Sequence, residues 1–340
     1  MKYKLLKEYL GVIILDFPRY FKYLNGNNLD WIFLCNRIDE LLRYPTDVGV
    51  LCNWQWSRSL HAPQLFPFLG EMLIKKALRE CPIKFAKSPP HNPSVEPDIS
   101  FIIGHRGLQR LPHLLQTLQS IASQENIKFE CLVVEQSSQP EVKEHLPAWV
   151  RYIHDPYENN AYNRSRTFNI GFSHAKGKLL VLHDNDMAVP TCYGQFLLQK
   201  FTEGYEVINL KRFIFYLSNL STEMFFEEKI NLDQATIDSI VQNLEAGGSI
   251  AIGREAYRSI GGFDEEFVGW GGEDLEFWER CLTRNVWNYT FLPIVHFWHY
   301  SQPEKNSKKD TAAMKLYRTK SLVNPLQRVE ILVAQELLKN

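Results

Sequence analysis

The stretch LLVLHDNDMAVP, residues 179–190, runs an apolar segment straight into polar chemistry. Leu179, Leu180, Val181 and Leu182 suit a buried strand, and His183, Asp184, Asn185 and Asp186 follow at once. So apolar a run, bounded by turn residues, reads as a strand covered on both faces. Two carboxylates one residue apart at its end project into a crevice. Hard oxygen ligands there can hold Mg²⁺ or Mn²⁺, ions usually shared with substrate phosphates. Asp and Asn also bond their own backbone in turns, so the letters alone leave both readings open.

Outward from this strand the same grammar repeats. ISFIIG (99–104), FECLVVE (129–135) and WVRYIHD (149–155) read as strands, and LPHLLQTLQSIASQ (111–124) carries leucines at helical spacing. NRSRTFNIGFSHAKG (163–177) reads as a helix stopped near Gly177, before the strand KLLVLHDND (178–186). Alternating strands and helices predict an α/β fold, a mostly parallel sheet flanked by helices. Ligands bind beyond the carboxyl ends of such strands, where Glu135 and the Asp184–Asp186 pair fall.

The whole chain has 340 residues and a formal net charge of −1, so no basic field marks it as a nucleic-acid binder. Its six cysteines form no CxxC pair and read as reduced core residues of a cytoplasmic protein. The run near the N-terminus is broken by Asp16 and Pro18, and no stretch reaches the roughly 18 apolar residues of a membrane span. Peripheral attachment to the inner face of a membrane is compatible with this. KSPPHNPSVEP (87–97) holds four prolines and reads as an extended connection, with a boundary there. Residues 1–97 form a mixed extension of unassigned role, 98–305 the α/β domain, and 306–340 a charged start followed by an amphipathic helix packed on the body.

Two further stretches carry chemistry. In GGFDEEFVGWGGEDLEFWERC (261–281), glycines flank Trp270, and Glu273 and Asp274 stand before a helix expected from about Leu275. Acids at a helix start also serve as plain caps. In PIVHFWHYSQ (293–302), His296 and His299 lie three apart after an apolar strand; lone histidines among aromatics are commonly structural.

In order, FIIGHRGLQRLPHLL, YNRSRTFNIGF, LHDNDM, GGSIAIGREAYRSIGGFDEEFVGWGGEDLEFWER and HFWH resemble the nucleotide-sugar glycosyltransferases of the GT-A fold. The likeness is to the β1,4-galactosyltransferase and chondroitin-polymerase-like groups and covers roughly residues 98–302. It implies a GT-A (Rossmann-like) sheet. It also implies that Asp184 and Asp186 meet the ribose and the divalent ion, Asp186 as direct ligand with His299. The galactosyltransferases carry methionine where this chain has His296, a harder donor that also suits Mn²⁺.

The same resemblance assigns Arg106 to the nucleotide, Tyr162 to the uracil face and Arg164 to the donor sugar. Gly104 and His105 stand where a proline-phenylalanine pair usually precedes that first arginine. Trp270 matches the tryptophan against sugar and diphosphate; Gly271 and Gly272 beside it, and Glu135, join the expected substrate-binding residues. Glu273 would bond acceptor hydroxyls, and Asp274 would be the catalytic base.

These assignments imply an inverting transfer of a hexose or hexosamine from a UDP-sugar to a glycan or lipid-linked hydroxyl, dependent on Mn²⁺ or Mg²⁺. The retaining polypeptide GalNAc-transferases place Asn where this chain has Asp274, so the carboxylate favours inversion. Rival expectations are a catalytically silent sugar- or nucleotide-binding subunit, a retaining GalNAc-transferase-like enzyme, and a nucleotidyltransferase. The last would need a richer glycine-basic loop than GHRGLQR.

Overall fold

The computed structural model describes residues 2–35, 40–52, 62–90, 96–157, 161–242, 247–301 and 311–337. The centre of the proline-rich connection (91–95) and the charged start of the tail (306–310) lie outside these residues, as do 338–340. An antiparallel hairpin, β1 (Leu41–Arg43) with β2 (Val50–Cys52), precedes the main sheets.

Eleven further strands follow in the described chain. They are β3 (Ile99–His105), β4 (Phe129–Ser137), β5 (Arg151–Pro156), β6 (Leu179–His183), β7 (Met187–Ala188) and β8 (Val207–Ile208). After these come β9 (Lys211–Leu217), β10 (Ile237–Gln242), β11 (Ser249–Gly253), β12 (Val286–Trp287) and β13 (Leu292–His296). One sheet runs β12-β8-β11-β6-β3-β4-β5, and a second runs β10-β9-β13-β7. In the larger sheet only β11 runs against its neighbours, so the mostly parallel α/β architecture holds.

Strand β6 is covered on both faces, as its apolar run requires. Leu179 and Val181 join the core that contains Phe101 and Val133, while Leu180 and Leu182 join another with Phe168, Tyr257 and Phe277. Burying each such side chain is worth about 1.5–3 kcal/mol. The first core also takes in Val12, Trp31, Leu69 and Leu73, so residues before the proline-rich connection share packing with Phe213 and Leu292 of the second sheet.

Three expectations are corrected. The strand expected over 178–186 stops at His183: the Asp184 N–H still continues the pairing by donating to the Gly248 carbonyl at 2.8 Å, and the chain then turns at Asn185 and Asp186. The helix expected from Leu275 begins at Glu273, since Gly272 in the left-handed region (φ 89°) has already made the turn. His296, expected with His299 after the apolar strand near residue 293, is instead the last residue of that strand, and His299 lies beyond it. The tail comprises two helices, Ala312–Lys320 and Pro325–Leu337.

Candidate active site

Register assembles the site. His105 and His183 end β3 and β6, Glu135 pairs with His105 two residues before β4 ends, and Ser249 of the antiparallel β11 lies opposite His183. The second sheet brings His296 beside Met187, and the Phe297 N–H donates to the Asp186 carbonyl at 2.9 Å. That pairing sets the last strand against the turn after β6.

Two buried histidines hold the turn. Burial pushes His183 down to about 4, so it stays neutral; its Nδ1 accepts from Ser249 Oγ at 2.7 Å and its Nε2–H donates to the Met187 carbonyl at 3.2 Å. His105 is likewise lowered to about 4 by burial. Its Nε2–H donates to the Gly107 carbonyl at 3.0 Å, and its Nδ1 accepts from Asn185 Nδ2 at 2.8 Å. The middle residue of the DND turn is thereby tied to the end of β3.

Asp186 meets three cationic or ligating side chains. His299 Nε2 lies 3.2 Å and His296 Nε2 3.6 Å from its carboxylate, and Arg110 Nη1 donates to it at 3.1 Å. Burial alone would raise its pKa, but His296, His299 and Arg110 outweigh that and hold it far below the usual carboxylate range. One ligand atom from each of Asp186, His296 and His299 falls within 4.8 Å of the others, a spacing that can hold a metal ion. One carboxylate with two imidazoles suits Mn²⁺ better than Mg²⁺, which prefers oxygen alone. Tyr216 stacks on the His296 ring at 4.2 Å and fixes its plane.

A second cluster centres on Arg164, at the start of the helix Arg164–His174, which Asn163 caps by accepting from the Arg166 N–H at 2.9 Å. Arg164 donates to Asp184 through Nε at 3.0 Å and Nη2 at 2.7 Å, contacts Asp274 closely, and lies 3.8 Å from Glu273. Its lone positive charge faces three carboxylates. Glu273, with 12% of its side chain exposed, is raised to about 8 by burial and by Asp274 beside it, against the pull of Arg164. Asp274 is raised by burial in turn, with Arg164 opposing.

The remaining expected residues frame these clusters. Gly104 admits the Tyr162 side chain over the end of β3: a Cβ there would stand 2.1 Å from the Tyr162 hydroxyl. The Tyr162 carbonyl in turn accepts from the Gly269 N–H at 2.9 Å. Trp270 is 36% exposed, and its carbonyl accepts from Thr311 Oγ1 at 2.8 Å. Gly271 and Gly272 press on the tail; a Cβ on Gly272 would lie 2.7 Å from Tyr317 Cβ. Arg106 is half-buried just past β3. Glu135 is fully buried, and its carboxylate accepts from the Glu141 N–H at 2.9 Å, the Val142 N–H at 3.3 Å and the Tyr152 hydroxyl at 2.6 Å, so its hydrogen bonds tie β4 to the loop that follows it and to β5.

Sequence reasoning passed over Arg110, Tyr216 and the buried Lys211, which donates to the Ser249 carbonyl and faces Asp274 electrostatically. Arg110 lies four residues after Arg106 in the same loop-to-helix segment. No short pattern tied Tyr216 or Lys211 to the DND turn; only sheet pairing does.

The chain matches the model of the family described as glycosyltransferase like family 2 over residues 100–294, more than half of its length. It is 25% identical over 238 residues to a hyaluronan synthase of Pasteurella multocida, covering 58% of this chain and 24% of that protein. It is 32% identical over 97 residues to a chondroitin synthase of Escherichia coli, covering 28% of this chain and 14% of that protein. The chain thus spans less than a quarter of the length of either relative. Among solved structures, GalNAc-T7 with UDP, GalNAc and Mn²⁺ superposes with a TM-score of 0.48 at 15% identity, over 66% of this chain and 48% of that one.

Proposed function

Because the chain belongs to the glycosyltransferase like family 2, and so is a glycosyltransferase, we propose that it moves a hexose or hexosamine from a UDP-sugar to a hydroxyl of a glycan or lipid-linked acceptor, with inversion. Asp186, His299 and His296 are the candidate ligands of a divalent cation, with Mn²⁺ favoured over Mg²⁺ by the imidazoles. Such an ion, when bound, neutralises charge on the departing diphosphate.

The chain's own groups supply the rest. Asp274 accepts the proton of the attacking hydroxyl, and Glu273, protonated up to about pH 8, hydrogen-bonds the acceptor. Arg164 fixes Asp274 and Asp184 with one guanidinium. Arg106 and Tyr162 are assigned to the nucleotide, and Trp270 with Gly271 and Gly272 to covering the donor against water. Residues 98–305 carry the transfer, with 1–97 buttressing the second sheet and 306–340 bracing the acid-bearing turn. The names of the relatives favour a polysaccharide acceptor.

The observation that carries this reading is the adjacency of the two clusters. Asp184 pairs with Arg164, which also holds Asp274, while Asp186, two residues on, meets His296 and His299. Carboxylate bases and a cation site around one turn serve group transfer with a departing anion. A panel of UDP-sugars scored by melting temperature, with and without Mn²⁺, followed by UDP release with acceptor glycans, tests it. A donor that stabilises only with Mn²⁺ and then yields UDP and a β-linked product supports the proposal. Release of pyrophosphate, or an α-linked product, would sink it.

A further inference from the structure

Residues 2–24 form a nearly continuous helical stretch: Lys2–Gly11, a wider π turn over Val12–Asp16, then Phe17–Leu24. Val12, Asp16, Tyr20 and Leu24, four apart, are buried on the body. Another face is apolar and turned outward. Leu6, Leu10 and Ile14, also four apart, together with Ile13 and Phe21, are between 48% and 64% exposed. Phe17 extends this surface by packing on Phe66 at 5.2 Å and on Phe68 at 6.4 Å, itself 47% exposed.

The same stretch carries five cations (Lys2, Lys4, Lys7, Arg19, Lys22) against two acids (Glu8 and the buried Asp16), in a chain whose net charge is −1. The apolar face and the positive charge are thus concentrated on one short segment. We propose that this helix lies on the surface of an anionic lipid bilayer, with the leucine–isoleucine face dipping into the acyl boundary and the lysines among the headgroups.

Charge selects this occupant. In a two-fold contact with a second copy, the same cation-rich segment would face itself, and like charges would repel. An anionic headgroup layer pairs with those charges while the apolar side chains leave water. Lying on the surface is also the mode the lengths permit, since no described helix is long and apolar enough to cross a membrane. The proposal concerns attachment alone and stands apart from the transfer chemistry.

The test is co-sedimentation of the full chain with vesicles of phosphatidylcholine, alone or mixed with phosphatidylglycerol, at low and high salt. The chain should sediment with the mixed vesicles, less so at high salt, and stay in solution with phosphatidylcholine alone. The double variant Leu10→Glu/Ile14→Glu should bind the mixed vesicles at least about tenfold more weakly with an unchanged melting temperature. Lys7→Glu/Lys22→Glu should lose the preference for anionic lipid. A wild-type chain left in the supernatant, equal binding by the Leu10/Ile14 variant, or a solution dimer that buries this face in place of lipid would each overturn the proposal.

Discussion

Burial, with the carboxylates of Asp184, Glu273 and Asp274 crowded around Arg164, makes the pair of acids titrate unlike ordinary carboxylates. Glu273 sits near 8, raised by burial and by its neighbour. Asp274 must be ionised to act as the base and burial raises it, so the ascending limb of kcat against pH should lie above the usual carboxylate range, while loss of the Glu273 proton near 8 should give a descending limb; a profile from pH 5 to 9 will read both. Asp274→Asn should cut transfer by about 10²–10⁴ with UDP binding kept, the usual scale for a general base; near-normal turnover would remove Asp274 from that role. Glu273→Gln mimics the protonated acid, so below pH 7 it should change kcat/KM by less than about threefold and alter the profile only near pH 8. At the other cluster, chelation with EDTA should abolish activity and Mn²⁺ restore it. His299→Ala should raise the Mn²⁺ concentration needed by at least about tenfold, measured by metal titration.

At the scale of elements, the helix Glu273–Cys281 is gripped by the tail. Glu276 is buried, bonded by Arg280 at 2.7–3.0 Å and by Arg328 Nη1 at 3.2 Å, while Arg328 also reaches Glu279. Arg328→Met takes a cation from a buried network and should cost about 3–5 kcal/mol, read as lost stability in denaturant unfolding. An equal midpoint for variant and wild type would contradict the brace. The larger sheet was legible in sequence because β3, β4 and β6 are near-continuous apolar runs. The sheet holding β9 was not, since KRFIFYL opens with Lys211 and Arg212, whose charges disguise a strand buried at every position but Tyr216. Arg212 donates to the carbonyls of Ile32 and Leu34, partners 180 and 178 residues away that no local pattern reveals. For the same reason His296 and His299 were readable as residues, while their closeness to Asp186 waited on β13 pairing with β7.

For the whole molecule, the first core joins Trp31 and Leu73 to Phe213 and Leu292, so the region before the proline-rich connection is packed into the second sheet. A chain shortened to residues 98–340 should expose that apolar surface and aggregate or melt well below the full chain, as light scattering during a thermal ramp will show. If it remains monomeric and as stable, the extension is an accessory and not a buttress. The six cysteines are free, five of them buried, so reducing agent should leave the melting temperature unchanged.

The clasp of the tail on the acid-bearing turn has a consequence for synthesis. A ribosome delivers residues 99–296, all the strands of both main sheets, before it delivers Thr311, Tyr317 and Arg328. The nascent protein therefore acquires its scaffold while Trp270, Gly272 and Glu276 still lack the surfaces they rest on. The turn bearing Glu273 and Asp274 gains its brace only after the sheets that present it have been translated.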